Sequence, residues 1–144
     1  MSAVSHFDYG KVVFTPAADG MTRVKINVCN GWLGDGARGF HIHESGDMSD
    51  GCKSMGAHYN PDDKKHGGLS DEERHFGDFG NVPAVNGCIV HELQIPNMKL
   101  KDIVGRGLVI HERADDLGGG GDKESEKTGN AGGRLLCAPI VWSS

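Results

Sequence analysis

The chain has 144 residues, enough for one domain with a hydrophobic core, and a net charge of −5 argues against a bulk electrostatic binder of nucleic acid. No apolar run approaches the roughly 20 residues that cross a bilayer, and the first residues lack the basic and apolar segments of a secretory signal. We therefore expect a single domain over residues 1–144, located in the cytoplasm, that binds neither nucleic acid nor membranes.

Short apolar segments, taken in chain order, predict several strands. Residues 12–14 form an apolar run that Pro16 ends, and residues 22–28 alternate polar and apolar side chains as a half-buried strand does. Further strands are predicted over residues 89–95, 107–111 and 135–141, where Pro139 indicates an edge or an irregular end. Short strands among 23 glycines, without an amphipathic helix of ten or more residues, predict an all-β sandwich or barrel.

Two long stretches, residues 44–80 and 113–134, resist assignment to strands. Loops of this length in a compact domain are uncommon and usually functional. The run Gly118–Gly121 could suggest a phosphate cradle, but no Gly-Lys-Ser/Thr follows it and no strand leads directly into it. We therefore expect two long functional loops and no P-loop.

Six of the eight histidines and one aspartate lie in three clusters, and they form the set of candidate metal ligands. Neutral imidazole is the commonest metal ligand, and it suits both copper and zinc. Each histidine alone is as well explained by a solvated surface, but the same explanation for all seven positions together is poor. His6 and His91 have no such company and are expected to be structural or surface residues. The candidate ligands are His41, His43, His58, His66, His75, Asp78 and His111.

The spacing of these ligands predicts two metal ions that share one ring. Two four-coordinate ions have eight ligand positions, which seven side chains fill if one imidazole uses both of its nitrogens. Residues i and i+2 of a strand face the same side, so His41 and His43 can point at one ion. The economical arrangement assigns His41, His43, His58 and His111 to copper, and His58, His66, His75 and Asp78 to zinc, with His58 as the bridge.

These residues make the chain similar to the Cu/Zn superoxide dismutases, over roughly residues 11–138. The segments that carry the resemblance are GFHIHE (39–44), GAHYNP (56–61), KHGG (65–68), DEERHFGDFGN (71–81), GRGLVIHE (105–112), ADDLG (114–118) and TGNAGGRLLC (128–137). The resemblance implies a Greek-key β-sandwich of immunoglobulin-like architecture. It also implies the conversion of superoxide to O2 and hydrogen peroxide, with Cu²⁺/Cu⁺ cycling and Zn²⁺ in a structural and electrostatic role.

The resemblance implies roles for further residues. Asp115 matches an aspartate that links a copper histidine to a zinc histidine, although by itself it is better explained as a turn cap. Arg134 matches a catalytic arginine whose guanidinium guides the anion. His58 matches a second catalytic residue, which donates a proton. Cys52 and Cys137 match a disulfide. Cys29 and Cys88 are expected to remain free, which is also the default for cysteines in a reducing cytosol.

The expected substrate is the superoxide anion, which a net negative protein attracts only through a local positive funnel. Lys123 and Lys127 are candidates for one wall of that funnel, the alternative being a solvated loop. A homodimer and a copper chaperone are the other expected partners. Ser45 departs from a bulky aromatic at the subunit contact of dimeric members, and Trp142 is a candidate substitute anchor.

Three other classes of protein would differ from this chain in their ligand residues. A non-enzymatic copper- and zinc-binding dismutase-like domain, as in a copper chaperone, would lack copper histidines or carry Cys-x-x-Cys. A zinc-only structural domain would not need His41 or His111. A copper-only dismutase would lack His66, His75 and Asp78, all of which are present.

Overall fold

A computed structural model describes residues 1–143 as an almost entirely β protein. Nine of its ten strands form two sheets, one in the order β10-β1-β2-β3-β7 and the other in the order β6-β4-β8-β9. The strands are β1 Ser2–Phe7, β2 Gly10–Pro16, β3 Thr22–Cys29, β4 Gly36–His43, β5 Ser49–Cys52, β6 Asp78–Ala84, β7 Cys88–Ile95, β8 Gly107–His111, β9 Arg134–Pro139 and β10 Val141–Ser143.

Every strand pair in the two sheets is antiparallel, and the chain crosses repeatedly between the sheets. β1, β2 and β3 form a meander, after which β7 returns beside β3 and β8 returns beside β4. Such returns of a later strand to lie beside an earlier one are the connections of a Greek key. The predicted all-β Greek-key sandwich is therefore confirmed.

The hydrophobic core lies between the two sheets. A segment that alternates polar and apolar residues forms a strand here because one face packs on this core and the other faces solvent. In β3 every second side chain from Thr22 to Val28 is buried, and the intervening ones face solvent. Phe14, Phe40 and Phe79 are among the largest side chains that are fully buried. Aromatic side chains of this kind bury a large apolar area each, so they dominate the stabilisation of such a core.

The last predicted strand, residues 135–141, is divided between two sheets. β9 pairs with β8 and ends at Pro139, whereas β10 begins at Val141 and pairs with β1. Pro139 has no N–H to continue a ladder, and the Ile140 N–H donates to the Arg106 carbonyl at 2.9 Å. The expected irregular end is thus the point at which the chain changes sheets.

Two short α-helices lie in the connections, α1 Leu100–Ile103 and α2 Lys123–Thr128. Asp122 caps α2, since its side chain accepts from the Ser125 N–H. Single 3₁₀ turns occur at Ala18–Gly20, Gly31–Leu33 and Lys53–Met55. Neither α-helix of the described chain has the length and apolar character required to cross a membrane.

Both pairs of cysteines form disulfides, so no cysteine among the described residues is free. Cys52 is joined to Cys137, as the resemblance implied. The expectation that Cys29 and Cys88 remain free is wrong. The antiparallel register of β3 and β7 sets these two residues directly opposite each other, with their Cα atoms 4.0 Å apart. Directly opposite side chains of neighbouring strands are close enough to bond.

Candidate metal centre

Two neighbouring strands and one loop bring the first four histidines together. His41 and His43 lie at the end of β4, His111 is the last residue of β8, and β4 pairs with β8. His58 reaches the same place because it forms an isolated antiparallel bridge with His43. Three ligands are therefore carried by the sheet and one by the loop that follows it.

Each of these four histidines offers one ring nitrogen, and the four nitrogens lie within 4.8 Å of one another. All four residues are buried. Three of the rings are anchored through their other nitrogen: His41 Nε2 donates to Asp115 Oδ2 at 2.6 Å, His43 Nδ1 to the Gly56 carbonyl at 2.9 Å, and His111 Nδ1 to the Gly132 carbonyl at 3.1 Å.

The nitrogens that remain have no hydrogen-bond partner, and this is the test of whether the site fits a metal. The unpartnered atoms are His41 Nδ1, His43 Nε2, His58 Nε2 and His111 Nε2. A buried polar atom without a partner costs about 1–3 kcal/mol. These four nitrogens point toward one another and lack partners, and one copper ion would give all of them a common partner because imidazole is a good copper ligand.

The second donor set surrounds Asp78, the first residue of β6. Asp78 Oδ1 lies 2.9 Å from His58 Nδ1 and 3.3 Å from His75 Nδ1, and Oδ2 lies 2.9 Å from His66 Nδ1. His58 Nδ1 and His75 Nδ1 are 3.1 Å apart. Three imidazole nitrogens and one carboxylate form a donor set that zinc accepts in tetrahedral coordination. His58 presents Nε2 to the first set and Nδ1 to the second, so all seven predicted ligands converge around one shared ring.

Asp115 joins the two donor sets through nitrogens that face away from them. Besides accepting from His41, it accepts from His66 Nε2 at 2.7 Å through Oδ1 and 2.9 Å through Oδ2. The turn-cap interpretation also applies, since Oδ1 accepts from the Leu117 N–H at 2.7 Å. A carboxylate in this position orients its imidazoles and fixes their tautomers.

Asn81 and Gly129 support Asp115, and sequence reasoning assigned a role to neither. Asn81 Nδ2 donates to the Asp115 carbonyl at 2.9 Å, and Asn81 Oδ1 accepts from the Asp115 N–H at 2.6 Å. Gly129 has φ +74°, and a Cβ there would overlap Asp115 Oδ1 and lie 2.5 Å from His66 Nε2. Both residues fall in the segments that carry the family resemblance, but their contacts depend on tertiary structure.

Burial sets the protonation of the histidines in the first donor set. Burial, and then the neighbouring His58, lowers the pKa of His41 to about 3, and burial lowers that of His111 to about 4. Burial likewise lowers the pKa values of His43 and His58. A lowered pKa keeps imidazole neutral at physiological pH, which is the form that binds a metal.

Around the second donor set, hydrogen bonds between the histidines and the carboxylates of Asp78 and Asp115 outweigh the effect of burial on the pKa values. Burial alone would lower the pKa of His66, but hydrogen bonds to Asp115 and Asp78 raise it to about 9. Burial alone would raise the pKa values of Asp78 and Asp115, but hydrogen bonds from the histidines outweigh burial and lower both. Without a metal, His66 therefore carries the proton that a cation would displace.

Comparison with known proteins decides the family. Residues 8–140 match the family described as copper/zinc superoxide dismutase. The chain belongs to the copper/zinc superoxide dismutase family. Superoxide dismutase [Cu-Zn] A of Xenopus laevis is 48% identical over 134 residues, which cover 91% of this chain and 87% of the relative. The extracellular superoxide dismutase [Cu-Zn] of Drosophila melanogaster is 48% identical over 135 residues, covering 91% and 74%.

A solved structure is similar to this chain over nearly its whole length. The crystal structure described as the clock protein EA4 superposes with a TM-score of 0.90 at 40% identity, covering 97% of this chain and 93% of that chain. Copper and zinc are the metals of the family, and the two buried donor sets fit them.

A cavity of about 940 Å³ opens onto the histidines His43, His58, His75 and His111. Arg134 lies beside it, opposite His111 in the β8–β9 register. Arg134 Nη1 donates to the Cys52 carbonyl at 2.8 Å, so the Cys52–Cys137 disulfide fixes the loop that holds the guanidinium.

The cavity is positive although the protein is negative. It is lined by the six basic side chains Lys64, Lys65, Arg113, Lys123, Lys127 and Arg134, against the three acidic side chains Glu44, Glu124 and Glu126. Lys123 and Lys127 were predicted at this wall, whereas Lys64, Lys65 and Arg113 were not. Lys65 lies 3.5 Å from Glu126, and the His66 N–H donates to the Glu126 carbonyl at 2.7 Å. These contacts join the two long loops across the centre.

Proposed function

We propose that this protein is a superoxide dismutase that converts superoxide to O2 and hydrogen peroxide with bound copper and zinc. The observation that carries the proposal is the pair of buried donor sets that share His58 beneath a positive cavity. Membership of the family supports the activity, since the curated relatives carry the name superoxide dismutase.

We assign copper to His41 Nδ1, His43 Nε2, His58 Nε2 and His111 Nε2, because these are the unpartnered buried nitrogens of one cluster. We assign zinc to His58, His66, His75 and Asp78, because their donor atoms lie within about 3 Å of Asp78 or of each other. The four donors within 4.8 Å of one another around Asp78 include His41 rather than His75, but Asp115 holds His41 Nε2 and leaves Nδ1 for copper. His75 Nδ1 completes the second set at 3.3 Å from Asp78 Oδ1.

Bound copper supplies one-electron cycling between Cu²⁺ and Cu⁺, and bound zinc supplies charge and fixed geometry because it has no redox chemistry. His58 holds its Nδ1 toward Asp78 and presents Nε2 to the cavity side. With no metal on Nε2, His58 would take up a proton there and would donate it as superoxide gains the electron that reduced copper supplies, while solvent would supply the second proton of hydrogen peroxide. Arg134 binds the incoming anion and orients it beside His111.

The charge of the cavity supports an anionic substrate. A concave site lined by charges of one sign raises the association rate of an opposite ion about 10- to 1,000-fold, and salt weakens the effect. The excess of basic side chains around the cavity gives superoxide such an attraction, while the net charge of −5 repels it elsewhere.

Superoxide decay in the copper- and zinc-loaded protein tests the proposal. His111→Ala removes one copper donor and is expected to abolish most of the activity, while His6→Ala, an exposed histidine in β1, leaves it unchanged. Full activity in His111→Ala would exclude the copper assignment. Bound copper and zinc without any activity in the native chain would identify instead a non-enzymatic metal-binding domain.

The quaternary state and loading partner follow from the family expectation. We propose a homodimer, supported by Trp142, which is 46% exposed on edge strand β10 although it is a large aromatic. Trp142→Ser should then weaken self-association in analytical ultracentrifugation. A copper chaperone remains a proposed loading partner, testable by copper transfer to the zinc-loaded protein.

The cytoplasmic location stays a proposal that rests on sequence features alone. The two disulfides are the observation that weighs against it, because disulfides persist mainly in oxidising compartments. Thiol labelling of the protein taken directly from its cells, with and without prior reduction, distinguishes the alternatives. Free Cys29 and Cys88 before reduction would favour the cytosol.

A further inference from the structure

Arg106, Tyr59 and Phe76 form a stack behind the metal centre, which we call the Arg106 column. Arg106 Cζ lies 3.6 Å from the centroid of the Tyr59 ring. The Tyr59 and Phe76 rings meet edge to face, with centroids 5.4 Å apart and planes at 70°. None of the three residues was assigned a role from the sequence, and Arg106 and Tyr59 do not line the positive cavity.

Three residues that the column contains or contacts are each next to a metal ligand in the chain. Tyr59 follows His58, the ring shared by both donor sets, and Phe76 follows His75. Arg106 Nη1 also donates to the carbonyl of Glu44, the residue that follows His43, at 3.0 Å. A shift of the Arg106 guanidinium would therefore displace the chain next to His43, His58 and His75 together.

Arg106 itself is held by backbone groups of α1 and of Ile140. Its N–H donates to the Ile103 carbonyl at 3.1 Å, and its carbonyl accepts from the Ile140 N–H at 2.9 Å. Its Nε donates to the Asp102 carbonyl at 2.8 Å. Tyr59 belongs to the long loop, and its own backbone has two anchors, Ile42 and Gly77. The guanidinium is thus a fixed support against which the loop rests.

The chemistry of these contacts requires arginine. No carboxylate pairs with Arg106 among the ion pairs of residues 1–143, so its three partners are a ring face and two carbonyls. A planar guanidinium can stack on an aromatic ring while its N–H groups donate at the edge. A lysine ammonium can lie over the ring but cannot reproduce both carbonyl contacts.

We propose that Arg106 is a positioning residue that acts through Tyr59 to hold the His58 ring between the two donor sets. This inference rests on the proposed copper and zinc assignments. Its consequence is that loss of the guanidinium lets His58 turn away from one ion while the sandwich stays folded.

The test replaces zinc with Co²⁺ and records the electron paramagnetic resonance spectrum of Cu²⁺. Two paramagnetic ions that share one imidazole couple magnetically, so most of the ordinary Cu²⁺ signal is lost and only a small uncoupled remainder is recorded. In Arg106→Gln we expect the uncoupled Cu²⁺ signal to rise at least threefold over the native protein, at a temperature where circular dichroism is native. Arg106→Lys should give an intermediate signal and Tyr59→Leu the same rise, while Tyr59→Phe should match the native protein.

The outcomes separate this proposal from the one on which it rests. A native protein that loads both ions without coupling would refute the shared His58, and with it the proposed metal assignment. A coupled native protein with an equally coupled Arg106→Gln would overturn the positioning role alone, even if its melting temperature falls. If Arg106→Gln does not fold, Arg106→Lys and Tyr59→Leu decide by the same signal.

Discussion

Replacement of Asp115 by asparagine should weaken zinc binding more than copper binding. The carboxylate of Asp115 accepts twice from His66 Nε2, at 2.7 and 2.9 Å, and once from His41 Nε2, at 2.6 Å. An asparagine keeps one neutral acceptor oxygen and places an NH2 group at the other position, so one contact is replaced by facing N–H groups and the others lose the negative charge that strengthens them. His41 is held by β4 within a hydrogen-bonded sheet, whereas His66 lies in the long loop and depends more on this contact.

The magnitude follows from the loss of one such supporting carboxylate, which typically lowers metal affinity about 10- to 100-fold. We expect zinc affinity to fall within that range, equivalent to about 1.4–2.7 kcal/mol, and copper affinity to fall less than about 10-fold. The assay is competition with a chromogenic chelator on protein loaded with one metal at a time.

The neighbouring acid provides a matched control. Asp116 contacts Ser125, Asn130 and the Gly118 N–H but no histidine, so Asp116→Asn should leave both affinities nearly unchanged. Zinc affinity of Asp115→Asn within threefold of the native value, or an equal loss in Asp116→Asn, would refute the reasoning.

Arg134→Glu should retain both metals, but its rate of superoxide decay at low salt should be at least tenfold below the native rate. The difference between the two rates should become smaller as added salt screens the charge, and an unchanged rate at low salt would exclude guidance by Arg134. The double change Cys29→Ser and Cys88→Ser opens a loop with a sequence separation of 59 and should lower the free energy of urea unfolding by about 4 kcal/mol. An unchanged unfolding midpoint would show that this disulfide adds no stability. Zinc binding at pH 7 should release about one proton. His66 has a pKa of about 9, so it is protonated at pH 7 and must lose that proton before it can bind zinc. Calorimetry in buffers of different ionisation enthalpy measures this release, which should vanish as the pH rises above 9; pH-independent release would contradict the interpretation.

Local patterns predicted the strands whose apolar residues either alternate with polar ones, as in β3, or run continuously, as in the fully buried β8. The alternation of residues 22–28 corresponds to β3, and residues 107–111 are β8 with the same bounds. β1 was not predicted, because Ser5 is a polar residue that is buried and contacts the Pro139 carbonyl at 3.2 Å. A serine that is satisfied by a residue far along the chain leaves no periodic signal.

The same distinction applies to the metal centre. Side chains with strong chemistry at short spacing, such as His41 and His43, could be read directly from the chain. Asn81 and Gly129 act only through their contacts with Asp115, and such contacts require the fold. The Cys29–Cys88 disulfide was missed for a related reason, since it depends on the register between β3 and β7.

The two donor sets differ in how far along the chain they reach. The set around Asp78 draws every member from residues 58–78, while the other joins residue 41 to residue 111. Contacts between near neighbours in sequence close at a lower entropic cost than contacts across the whole chain. We therefore expect a newly made chain to be able to capture its first cation while the two sheets are still assembling. The valence-changing cation can bind only after the distant strands β4 and β8 have paired, so the order in which a cell delivers the two metals matters for maturation.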